Sequence, residues 1–123
     1  MADGNSSYTE ISEDAGFGRE KVASGESSIT WGLAFADFDN DADLDAFAAG
    51  GALGLERARH DDALYENSGG GRFVRFDVPA PGSGRSVAPA DWDRDGDVDL
   101  LVGQINARPL LLRNRGRPRG HWV

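Results

Sequence analysis

The strongest constraint on this chain is that it states one pattern twice. "WGLAFADFDNDADLDAFAAG" (31–50) matches "RSVAPADWDRDGDVDLLVGQ" (85–104) at a constant offset of 54 residues. Downstream, "ALYENSG" (63–69) matches "LLLRNRG" (110–116) at an offset of 47, so the first copy carries seven extra residues within "GALGLERARHDD". "GRFV" (71–74) then faces "GHWV" (120–123). Self-similarity of this kind marks one supersecondary unit set beside its twin. Each unit reads as an apolar strand, an aspartate loop, an apolar strand, a short connection, a strand ending in Asn-x-Gly, and an aromatic strand.

The apolar runs are short and bounded by Gly, Asn and Asp, which predicts strands rather than helices. "AFAAG" and "LLVG" follow the aspartate loops at once, and "RFVRFDV" alternates, its Phe73 and Phe76 interrupted by arginine. Seventeen glycines point to many tight turns. "ISEDAGFG" (11–18) fits either one helical turn or a loop, and a loop is expected. With 123 residues, 39% of them apolar, there is room for one domain with a modest core.

The loops hold the chemistry. "DFDNDADLD" (37–45) and "DWDRDGDVD" (91–99) each place aspartate at five alternate positions. Carboxylates in that pattern converge on one point inside a tight loop, and their repulsion needs a counter-charge. Hard oxygen donors at loop positions one, three, five and nine, with a backbone carbonyl at seven, suit Ca²⁺. The side-chain ligands expected in the first loop are Asp37, Asp39, Asp41 and Asp45, with Asp43 giving its carbonyl. In the second they are Asp91, Asp93, Asp95 and Asp99, with Asp97 giving its carbonyl. About two Ca²⁺ per chain follow. An EF-hand is excluded, because its loop needs an acid at position twelve and flanking helices. That position is Ala48 in one copy and Val102 in the other, both inside strand-like runs. Zinc lacks ligands, with no cysteine and only His60 and His121. Mg²⁺ fits less well, since it demands tighter octahedral geometry. The plain alternative is an aspartate-rich hairpin turn without metal. Ala42 stands where the second loop has Gly96. If that position needs positive φ, the alanine costs on the order of 1 kcal/mol and makes the first site the weaker.

"FADFDNDADLD" and "PADWDRDGDVDLLVG" resemble the FG-GAP/VCBS repeats of integrin-alpha-like propellers and many bacterial secreted proteins. "LYENSGGGRF" resembles the family's link between blades, and "YTEISEDAGFG" the stretch that opens a unit. "RGRPRGHWV" resembles the start of the ASPIC/UnbV segment that often follows such propellers. The resemblance covers nearly the whole chain, and it implies an all-β fold. That fold is two β-propeller blades of four antiparallel strands, with calcium loops joining the first two strands of each. It implies the same ten aspartates as the metal site, and an extracellular or periplasmic place. Two departures stand out. Ala42 replaces the motif glycine, and two units are present where propellers usually have about six to eight blades.

The net charge is −8, and ten of the 21 acidic residues lie in the two runs. Without those ten the balance is +2, so the acidity is two concentrated sites rather than an acidic surface. Arg108, Arg113, Arg115, Arg117 and Arg119 form a basic end, but no aromatic stacking pattern accompanies them, and a solvated surface is expected rather than nucleic-acid binding. No apolar run approaches the roughly 20 residues of a membrane span. "MADGNSSYTE" lacks the basic-then-apolar pattern of a signal peptide.

Catalysis lacks a nucleophile–base pair, so no enzyme is expected and no catalytic residue is named. The expected function is a calcium-binding, non-enzymatic scaffold for protein or carbohydrate. The alternatives are an enzyme or accessory domain using the 56–62 insertion, where His60, Asp61 and Asp62 lie, or a purely structural propeller fragment. Trp92 and Trp122 match Phe38 and Phe73 and are expected in the core, whereas Trp31 is the tryptophan freest for another role.

Strand counting gives one full blade at about 30–78. A second, at about 85–116, is short of its outer strand. "YTEI" (8–11) reads as such a strand, placed before any blade begins. The expectation is that it completes the second blade of a neighbouring copy in a head-to-tail homo-oligomer of three or four chains. The alternative is a piece cut from a longer propeller.

Overall fold

Each short apolar run forms a strand in the computed structural model, which describes residues 7–17, 29–51, 62–79 and 82–116. β1 (Thr30–Ala36), β2 (Asp45–Gly50), β3 (Asp62–Asn67) and β4 (Phe73–Val78) make one antiparallel sheet in sequence order. β5 (Gly84–Ala90), β6 (Asp99–Gln104) and β7 (Leu110–Leu112) make a second, also in sequence order and antiparallel. Among the described residues the fold is all-β apart from one helical turn, and neither sheet closes into a barrel.

The repeat extends to register. Leu33 pairs with Ala48 and Val87 with Val102, and each first strand is irregular at the same point, between Thr30 and Gly32 and between Gly84 and Ser86. An irregularity copied at one place in two sheets belongs to the unit, as bulges generally do.

The core lies between the sheets. Phe38, Phe47, Ala49, Leu64 and Val78 of the first meet Leu100 and Val102 of the second, with Val87, Leu110 and Leu112 packed at the margin. β5 lies beside β1 and β2. Burying a side chain such as Phe47 contributes about 1.5–3 kcal/mol. β2 is buried along its whole length, which its composition of small residues around one phenylalanine permits.

Three expectations need correction. Residues 11–18 do not form a plain loop: Ser12–Ala15 is a helical turn, α1, closed by the Ala15 N–H donating to the Ile11 carbonyl at 2.8 Å. Gly16 ends it at φ 95°, where a Cβ would strike the Phe73 carbonyl oxygen. Phe17 then stacks on Tyr65 and Phe73, with ring centroids 4.7 and 4.5 Å away. The signal missed was the pairing of a left-handed glycine with an aromatic anchor. Second, Trp92 is exposed although its repeat equivalent Phe38 is buried, because Phe38 faces the second sheet and Trp92 faces away from the first. Third, Trp31 is engaged. Its Nε1 donates to the Gly51 carbonyl at 3.0 Å, and the Arg85 guanidinium lies 4.5 Å over its ring.

The segment 8–11 joins neither sheet within the chain, and Tyr8 is exposed. His60, Asp61, Arg117, Arg119, His121 and Trp122 lie outside the described residues. Asp62 is described and is not a solvated loop residue: it is buried at the start of β3 and accepts the Gly50 N–H at 3.0 Å.

Candidate metal centres

Both aspartate loops connect strands, β1 to β2 and β5 to β6. They have one backbone. Asn40 and Ala42 take φ of 60° and 73°, and their equivalents Arg94 and Gly96 take 63° and 95°. Those left-handed positions fold the loop inward. The first aspartate of each loop holds the turn: Asp37 accepts the N–H groups of Asp41 (3.1 Å) and Ala42 (2.9 Å), and Asp91 those of Asp95 and Gly96 (both 3.1 Å). Asp41 accepts from the Asp43 N–H at 2.9 Å and Asp95 from the Asp97 N–H at 3.0 Å.

The last aspartate ties the loop to the sheet. Asp45 accepts from the Phe38 N–H at 2.9 Å and the Asn67 N–H at 2.8 Å. Asp99 does the same with Trp92 (3.3 Å) and Asn114 (2.7 Å). Both carboxylates are buried. Burial raises the Asp45 carboxyl above the ordinary aspartate range; the Asn67 and Phe38 N–H groups oppose this, and the charges of Asp39 and Asp41 add to it.

Three carboxylates converge in each loop. Oxygens of Asp37, Asp39 and Asp45 lie within 4.8 Å of one another, as do those of Asp91, Asp93 and Asp99. At an effective dielectric of ~20, two unit charges at that spacing repel by roughly 3 kcal/mol. The donors are all hard oxygens, with no nitrogen or sulfur among them, so the set fits a hard cation of the Ca²⁺ type. Of the ten aspartates singled out by spacing, these six come together. Asp41 and Asp95 sit beside them holding backbone N–H groups. Asp43 and Asp97 sit at the position where the backbone carbonyl was expected to serve.

Two partners escaped the sequence reading. Arg113 pairs with Asp93 at 2.6 Å and Asp95 at 3.1 Å. The Asp97 N–H and then Arg113 hold the Asp95 carboxyl below its ordinary range. The repeat places Glu66 at the Arg113 position of the first unit, so the two loops differ in sign there. Asn67 and Asn114 are the second kind. Each accepts from the glycine two residues on, at 3.0 and 3.1 Å, and donates back to its own loop at Leu44 or Val98, at 3.2 and 3.3 Å. The repeated Asn-x-Gly was the signal for that clamp.

Residues 52–102 match the family of the FG-GAP-like repeat, a span that includes β3, β4 and the whole second aspartate loop. That segment is similar to the FG-GAP-like repeat. The first aspartate loop precedes the matched span, but it shares the backbone and the convergent carboxylates of the loop within that span. Neither the curated proteins nor the solved structures offer a match to the chain.

Proposed function

We propose that the chain is a pair of calcium-binding propeller blades that serves as a non-enzymatic scaffold for a protein or carbohydrate ligand. One observation carries the reading: two loops of the same backbone each gather three carboxylates within 4.8 Å. In the first loop Asp37, Asp39, Asp41 and Asp45 would hold the ion, with the Asp43 carbonyl; in the second Asp91, Asp93, Asp95 and Asp99, with the Asp97 carbonyl. Bound calcium supplies positive charge where the loop concentrates negative charge. The protein's own part is to fix the loop. Asp45 fastens it to the end of β3 through Asn67, and Asp99 to the segment just after β7 through Asn114. A loop fastened at both ends holds neighbouring surface loops still, and rigid surface loops are where binding sites are commonly built.

Screening of protein and glycan ligands, with calcium and with chelator, tests the function. The expected result is a ligand retained in calcium and released by chelator. A substrate turned over at a rate that depends on the 56–62 insertion would replace this reading with an enzymatic one.

A further inference from the structure

Because the two sheets are related by the repeat, each contact between them identifies matching positions on the flanks that face away. Phe38, Phe47 and Leu64 pack against the second sheet and are 3%, 1% and 7% exposed. Their repeat equivalents in the second sheet are Trp92, Leu101 and Leu111, which are 54%, 47% and 50% exposed. The second sheet thus turns outward the kind of face with which the first sheet holds it. On the opposite flank Val87 packs against the core, while its equivalent Leu33 in the first sheet is exposed, as is Phe35; Ala46 and Ala48, the equivalents of Leu100 and Val102, are buried between them. Exposed apolar residues grouped on one face mark an interaction site.

Charge and shape agree with the same docking. Asn40 of the first loop donates from Nδ2 to Asp97 Oδ1 of the second at 2.8 Å. The outward equivalents are Arg94 on the second sheet and Asp43 on the first, both exposed and opposite in charge. Close approach also carries over. A Cβ on Gly84 would stand 2.8 Å from the Ala49 Cβ, so this contact requires a glycine on one side. Its outward equivalents are Thr30 and Gly103, and again one partner is glycine.

We propose that these two flanks bind each other between copies of this chain, head to tail. Trp92, Leu101 and Leu111 of one copy are covered by the Leu33 flank of the next, and Arg94 of one pairs with Asp43 of the next. The contact is heterologous, so it propagates into a ring or a filament rather than stopping at a symmetric dimer. It rests on the repeat relation between the sheets and not on the calcium reading.

Sedimentation velocity tests it with two complementary variants. Leu101→Arg spoils one flank and Leu33→Arg the other; both positions are exposed, so the sheets should survive, as circular dichroism would report. The wild-type chain is expected to sediment as an assembly and each variant as a monomer. An equimolar mixture is expected to give a dimer only, because one intact flank remains on each partner. A charge swap on exposed side chains, run in chelator because Arg94 and Asp43 lie in the two aspartate loops, adds a second arm: Arg94→Asp weakens assembly, and adding Asp43→Arg restores it. A monomeric wild-type chain would overturn the proposal, as would two folded variants that do not pair on mixing. If either arginine variant fails to fold, a charge swap without rescue decides against it.

Discussion

Asn114 donates from Nδ2 to the Phe38 carbonyl at 2.7 Å, joining the end of the second unit to the aspartate loop of the first. The same amide group reaches Val98 within its own loop, and its backbone N–H is held by Asp99. One buried side chain therefore links both loops and both sheets. Replacing it leaves buried carbonyls without a donor, which costs about 1–3 kcal/mol. Asn114→Ala should lower the urea midpoint, and by more than Asn67→Ala, since Asn67 is less buried and its amide is seen bonding within its own unit.

Ala42 holds φ of 73° in a position that the second loop gives to glycine. Ala42→Gly should therefore stabilise the fold by up to ~1 kcal/mol. Thermal melts of the variant beside the wild-type chain check this.

Arg113 competes for the carboxylates that would take the ion in the second loop. Removing it returns that charge to the cation. Arg113→Ala should tighten calcium binding at this loop by roughly a few-fold, the scale of an exposed ion pair, and should lower stability in chelator. Isothermal titration of the variant against the wild-type chain separates the two effects.

Acidification should act with opposite sign in the two metal states. Burial raises the folded-state pKa of Asp45 above the ordinary 3.8 of an aspartate. The stability from that proton is fully present below 3.8 and is lost as pH rises through the raised value. In chelator, lowering the pH through that window should thus raise the melting temperature. Asp95 is shifted the other way, so its contribution is lost only at still lower pH. In calcium the trend should reverse, because the ligands must be ionised to bind. Melts across pH in both buffers would show whether the two curves converge.

The strands were legible because each aspartate run punctuates an apolar run, and the matching copies set one register for both. The candidate metal centres were legible in that the spacing singled out Asp37, Asp39 and Asp45, but it did not separate them from Asp41 and Asp43, because the left-handed turns at Asn40 and Ala42 decide which carboxylates converge. Arg113 was not, since only the fold carries a residue of β7's far end back onto the β5–β6 loop. The exposure of Trp92 was hidden for a different reason. The repeat reports which positions are alike, while burial depends on which sheet stands opposite, and that is a property of neighbours rather than of the unit.

The most direct test of the central claim is a calcium titration of the chain followed by calorimetry and by melting temperature. Two ions should bind per chain, the melting temperature should rise with calcium by mass action, and chelator should reverse the rise. A chain that takes up no calcium, with a melting temperature the same in calcium and in chelator, would contradict the assignment of both loops.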